Sequence, residues 1–230
     1  MRNLLSILLT AAAALCFVAD AAATPPHYID VREVLVGAND SLFVVQEYVF
    51  DNLGSHFQRT EALSVVVYRS IDRTEVERRL VRELEYSLDA SGEGDGTTVE
   101  ITRRAGEPVD IASLLDRYDM SLAFERRWPV LSLTEAPAGI IVSEGERLQV
   151  EVASRSEIRD IFSPLGSDLE EVIDDATTYS ITGAHFVGGS SYLFVVVRLG
   201  YRDDPESRVR IMPISRDLIA QRIEEVGPDR

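Results

Sequence analysis

The chain has 230 residues and sets 39 acidic side chains against 23 basic ones, for a net charge of −16. Every basic residue is arginine. That balance opposes binding to nucleic acid or to an anionic membrane surface, and the lack of lysine excludes a Gly-Lys-Ser phosphate loop.

The opening residues have the pattern of an export signal. Arg2 precedes an apolar run from Leu4 to Val18, and small residues follow up to Ala23. Cleavage is expected after Ala23 or after Ala21. The run is shorter than the ~20 residues a spanning helix needs, and Asp20 closes it. The expected organisation is a signal peptide over 1–23 and a single domain over 24–230, delivered to the periplasm or the exterior, with no transmembrane segment after cleavage. Cys16 is the only cysteine and leaves with the signal, so neither disulfide nor thiolate chemistry serves the mature domain. Its stability must come from its core, which a chain of about 200 residues is long enough to build.

Thr24-Pro25-Pro26 makes a stiff, extended start. Tyr28 to Val36 alternates as a first strand, closed by the turn cluster Gly37-Ala38-Asn39-Asp40. Leu42 to Phe50 is the second. Its run Leu42-Phe43-Val44-Val45 is apolar at successive positions, which predicts a central strand covered on both faces. Asp51 to Gly54 breaks it, residues 55–60 read as loop, and Leu63 to Arg69 is the third strand. Glu75 to Leu88 fits two templates. As a helix it aligns Val76, Leu80, Leu84 and Leu88 behind a Thr74/Glu77 capping box. As a strand its even positions are apolar except where Arg78 and Arg82 interrupt. The turn composition of Ser70 to Arg73 favours the strand, and with it a three-stranded meander.

A Gly/Asp/Glu-rich loop, Asp89 to Thr98, leads to a short strand at Val99 to Thr102. Asp110 should cap a helix bearing Ile111, Leu114, Leu115 and Tyr118. Trp128 to Leu133, Gly139 to Val142 and Leu148 to Val152 read as strands. Ser154 with Glu157, and Ser167 with Glu170, form capping boxes for two short helices. Strands at Tyr179 to Val187, Tyr192 to Tyr201 and Arg208 to Ile214 then make a second meander, and Ser215 caps a last helix. The predicted class is α+β and β-rich, with antiparallel meander sheets and three or four short helices. Gly37 to Phe50 and Gly188 to Tyr201 align without gaps, placing Leu42-Phe43-Val44-Val45 on Leu193-Phe194-Val195-Val196. This suggests an internal duplication, although buried strands share a small alphabet.

Few residues suggest chemistry. Asp89, Ser91, Glu93, Asp95 and Glu100 follow EF-hand ligand spacing, with Gly94 at the sixth position, and so name calcium as the candidate cofactor. Glu93 at the fifth position and Gly96 at the eighth depart from that motif, and an acidic hairpin tip has the same composition. His56 and His185 sit in similar contexts, Gly-Ser-His-Phe and Gly-Ala-His-Phe, without paired metal-ligand spacing. No Gly-x-Ser-x-Gly elbow occurs. Tyr48, Phe50, Phe57 and Arg59 could form a recognition patch. No catalytic constellation emerges, so the expectation is a non-catalytic module binding a protein or small molecule. The alternative is an exported hydrolase using carboxylates or His56, with calcium in support.

Overall fold

A computed structural model describes residue 27 and residues 29–55, 57–88, 99–125, 132–136, 139–144, 148–162, 177–201 and 204–226. The first meander consists of β1 (Ile29–Ala38), β2 (Leu42–Asp51), β3 (Gln58–Arg69), β4 (Glu75–Leu88) and β5 (Val99–Ala105). The second consists of β11 (Thr177–Phe186), β12 (Tyr192–Tyr201) and β13 (Asp204–Ser215). They share one sheet, in the order β5-β4-β3-β2-β1-β13-β12-β11-β7, where β7 is Phe124–Glu125. Pairing within each meander is antiparallel, but β1 and β13 meet in parallel, with Arg32 opposite Val209. A smaller antiparallel sheet contains β8 (Ser132–Ala136), β9 (Gly139–Glu144) and β10 (Leu148–Ser154).

Glu75 to Leu88 is a strand throughout, with Ala62 opposite Glu83 on one side and Tyr86 opposite Ile101 on the other. β3 starts earlier than its apolar content suggests. Its polar residues Gln58 to Thr60 are drawn into the ladder by Ser87, Tyr86 and Glu85. The β2 run is central as expected, since Phe43, Val44 and Val45 are all fully buried. Both meanders carry a bulge ahead of a Gly-Ala pair. The register slips between Leu35 and Gly37 in β1, and between Ile181 and Gly183 in β11. By this register Gly37 corresponds to Gly183, whereas the ungapped sequence alignment set it against Gly188.

Three described helices cover the sheet. In α1 (Ile111–Arg117), the Asp110 side chain accepts from the Ser113 N–H, and Leu114 and Leu115 pack on Val44, Val65 and Val67. α2 (Arg155–Phe162) has the expected capping box. Ser154 N–H donates to Glu157 Oε2 at 2.7 Å, and Glu157 N–H donates to Ser154 Oγ at 3.3 Å. Ile158 and Phe162 of α2, Ile219 of α3 (Arg216–Val226), and Ile140 and Val152 of the small sheet join Leu193, Val195, Val197 and Leu199 of β12 in one core. The helix expected behind Ser167 lies outside the described residues.

Two very short strands link the two meanders of the large sheet. β6 (Ser121–Leu122) pairs with the end of β1, and β7 pairs with the end of β11. Ala123 alone separates them, and its N–H donates to Val36 O at 2.9 Å. The ends of β1 and β11 are thus drawn together around a core of Leu35, Ala38, Phe43, Phe194 and Ile211. Gly37 is required for this closure. A Cβ there would stand 2.6 Å from Ser121 O and 2.7 Å from Leu115 Cδ2. Asp40 also joins the meanders' hairpin tips, with its Oδ1 accepting from Ser191 N–H and Oγ at 2.7 Å each.

Candidate ligand-binding cleft

β1 and β13 leave a seam beside their paired position, and side chains complete it. The Ile211 N–H donates 2.7 Å to Glu33 Oε2, and the Ile211 carbonyl accepts from the Arg73 guanidinium. Glu33 Oε1 also accepts from Arg73 Nη2 and from Arg210 Nη1, each at 2.6 Å. A carboxylate and a guanidinium therefore satisfy backbone groups that a neighbouring strand would otherwise pair, as buried polar groups require.

From Glu33 the network extends to Glu47, its cross-strand partner on β2. Glu47 Oε1 accepts from Arg78 at 2.5 Å, and Oε2 accepts from the Tyr68 hydroxyl at 3.1 Å and from Arg210 at 3.4 Å. Arg78 donates in addition to Glu75 at 2.8 and 3.0 Å. The network thus sets Glu33, Glu47 and Glu75 against Arg73, Arg78 and Arg210, with no net charge. The Arg73 guanidinium also lies over the rings of Tyr68 (4.9 Å) and Phe43 (5.5 Å), a favourable use of the aromatic faces. The β3–β4 turn delivers it by holding Arg73 at φ 55°, a left-handed conformation that costs a non-glycine residue about 1 kcal/mol or more.

Burial alone would push the Glu33 carboxyl up. The Arg73 and Arg210 guanidiniums and the Ile211 N–H outweigh it and hold the carboxyl below its ordinary value of 4.5. Burial, with Glu47 and Glu33 nearby, raises the Tyr68 phenol to about 12, so it stays a donor. The Glu33 side chain is wholly buried and that of Glu47 is 3 % exposed, whereas Arg78, at 38 %, reaches the surface.

Over this network lies a cleft of about 780 Å³. Tyr68, Arg210 and Glu47 form part of its floor with the aliphatic Ile29, Val31, Val49 and Met212. The β3–β4 turn, Ser70 to Arg73, makes one lip, and Glu157, Asp160 and Ile161 of α2 make the other. Two polar atoms of lining residues, Ser70 Oγ and Arg210 Nε, are buried without a hydrogen-bond partner. The size and mixed lining are those of a small-molecule or peptide site. The carboxylates nearest the floor are held by guanidiniums, so the floor presents fixed charge and hydrogen bonding.

The residues singled out in the sequence lie elsewhere. Asp89, Ser91, Glu93 and Asp95 fall outside the described residues, and Glu100 is on β5 opposite Ser87. Strands enter and leave that loop, where an EF-hand has helices. His56 is outside the described residues. His185 is on β11, opposite Phe194 and Glu125, and does not line the cleft. His27 is exposed and bonds Asp51 at 2.8 Å. Among the described residues, no three His, Cys, Asp or Glu group to hold a metal. Tyr48, Phe50 and Arg59 share a sheet face by register, with the Arg59 guanidinium 4.6 Å from the Tyr86 ring centre; Phe57 is 48 % exposed. Burial and Glu61 raise the Tyr48 phenol to about 12.

Glu33, Glu47 and Arg210 escaped the sequence reading, although a signal was present. Each is a charge at an inward position of an apolar alternation: Val31-Glu33-Leu35, Val45-Glu47-Val49 and Arg210-Met212-Ile214. Such breaks in a binary pattern concentrate at functional or structurally special positions. No helix among the described residues is long and apolar enough to cross a membrane. No family model, curated protein or solved structure matches the chain.

Proposed function

We propose that this chain is an exported, non-catalytic binding module whose ligand occupies the cleft between the β3–β4 turn and α2. One observation carries the reading: a cleft of about 780 Å³ over an internally neutralised floor, in which Glu33 and Glu47 are tied to Arg73, Arg78 and Arg210. Such a floor is rigid and charged, which suits recognition better than proton transfer. A hydrolase acting through histidine needs that group beside carboxylates in one concave site, and His185 is not in the cleft lining. Export rests on the signal-like opening residues. We further read the two meanders as copies of one unit. The support is their matching strand order, the parallel contact this order produces between β1 and β13, and the shared bulge before Gly37-Ala38 and Gly183-Ala184.

The test is affinity capture from periplasmic extract, comparing the wild-type protein with Ile161→Trp, which fills the cleft from α2. The expected result is a partner or metabolite retained by the wild type and lost by the folded variant. Equal capture by both would contradict the proposal.

A further inference from the structure

We propose that the sheet face opposite the cleft is a second binding surface, for an acidic segment of another protein whose carboxylates alternate with apolar side chains. α1 covers one end of this face, at Val44, Val65 and Val67. Further along the same strands the register sets Arg82, Leu63, Tyr48, Arg32, Val209 and Arg198 in one line, from β4 across β3, β2, β1 and β13 to β12. Neighbouring strands lie ~4.8 Å apart, so Arg82 and Arg32 stand roughly 14 Å apart, and Arg32 and Arg198 roughly 10 Å. Arg59 and Arg103 flank the line on the same face, in register with Tyr86 and Leu84.

All five arginines are exposed, and none forms an ion pair with another described residue. Arg73, Arg78 and Arg210, on the cleft side, are all paired. Among the described residues, the carboxylates in register with the five are Asp30 and Glu61. Asp30 is buried beside Arg208, and Glu61 accepts from the Tyr48 hydroxyl. A chain of −16 therefore gathers guanidiniums without ionic partners on one face, which selects an anion. The ground between them selects a protein. Leu63, Tyr48 and Val209 are half-buried, and Val34 and Ile101, on the same face, are 62 % and 55 % exposed. Arginine among aromatic and aliphatic side chains is the composition of a protein interface. A polymer of phosphates or sugar carboxylates would leave the aliphatic groups uncovered.

The experiment is calorimetric titration of the full chain, at low and at high salt. The probes are acetyl-Asp-Leu-Glu-Asp-Tyr-Glu-Ser-Leu-Asp-amide, its counterpart with Asn and Gln for the acids, and two anions without apolar side chains, oligogalacturonate and oligothymidylate. The acidic peptide should bind, less tightly as salt rises, and its uncharged counterpart should not. The variant Arg32→Gln/Arg82→Gln, matched to wild type by its melting curve, should bind the acidic peptide about three- to tenfold more weakly. Ile161→Trp, on the other side of the sheet, should bind it as wild type does. A protein docked on this face thus stays bound to Ile161→Trp, which separates it from a ligand of the cleft. No binding of the acidic peptide at low salt, or equal affinity in the arginine variant, overturns the proposal. Tighter binding of oligogalacturonate or oligothymidylate than of the peptide overturns the protein class. Binding that Ile161→Trp abolishes and the arginine variant keeps overturns this surface and leaves the cleft a binding site.

Discussion

Replacing Glu33 by glutamine tests the seam at its most buried point. Oε1 lies 2.6 Å from both Arg73 Nη2 and Arg210 Nη1, and Oε2 lies 2.7 Å from the Ile211 nitrogen. Glutamine has the same shape but only one acceptor oxygen. Either its amide faces two guanidiniums or it faces the Ile211 N–H, and in both orientations donor meets donor. Two unit-charge pairs at ~4 Å and an effective dielectric constant near 20 are worth about 4 kcal/mol each, which sets a ceiling near 8 kcal/mol. The desolvation that the substitution relieves lowers the net cost to about 3–5 kcal/mol, the usual penalty for removing one partner of a buried pair. For a domain of this size the melting temperature should drop by roughly 10 °C. Urea unfolding at neutral and acid pH is the assay. Because the Glu33 carboxyl is held below its ordinary 4.5, its contribution is complete above that value and is lost as pH falls towards the folded value. Glu33→Gln should lack this acid-sensitive component. A loss under about 1 kcal/mol, or an acid dependence identical to wild type, would refute the reasoning.

Tyr68→Phe removes the hydroxyl that donates 3.1 Å to Glu47, and should cost about 1.5–3 kcal/mol at neutral pH by urea unfolding. With the phenol raised from 10 to about 12, its contribution is present below pH 10 and lost as pH climbs to about 12, so the variant should lack that alkaline loss. Gly37→Ala should destabilise by about 1–3 kcal/mol, because backbone and a buried leucine must move. Gly183→Ala should melt within a few degrees of wild type, since its Cβ would meet only the Val196 side chain, at an ordinary 3.6 Å from Cγ2 and 4.0 Å from Cβ. Millimolar calcium should leave the melting temperature unchanged, because strands rather than EF-hand helices flank the acidic loop. A rise would establish the site at Asp89, Ser91, Glu93, Asp95 and Glu100.

Much of the fold was legible because its signals are local. The apolar runs of β2 and β12 announce buried strands, and Asp110 and the Ser154/Glu157 pair mark helix starts that the hydrogen bonds bear out. Glu75 to Leu88 was ambiguous because leucines four apart satisfy both helical and strand periods. Pairing with β3 and β5 decides it, and a tertiary contact is invisible to a local pattern. β6 and β7, at two residues each, are too short to have a period. The parallel contact of β1 with β13 joins residues 177 positions apart and leaves no trace in either strand. The cleft was hidden for a related reason. Among 39 acidic residues, nothing in composition picks out the few that face inward. Glu33 and Arg210 are recognisable only once alternation assigns them to the core-facing side, and their pairing only once the strands are ordered.

Hydrogen–deuterium exchange of the full chain, with and without a ligand recovered by affinity capture, tests the central claim most directly. Added protection is expected only at the β3–β4 turn with the start of β4, Ser70 to Arg78, and at α2, which border the cleft. Protection concentrated instead on the β5 edge or on the Tyr48, Phe50 and Arg59 face would contradict it.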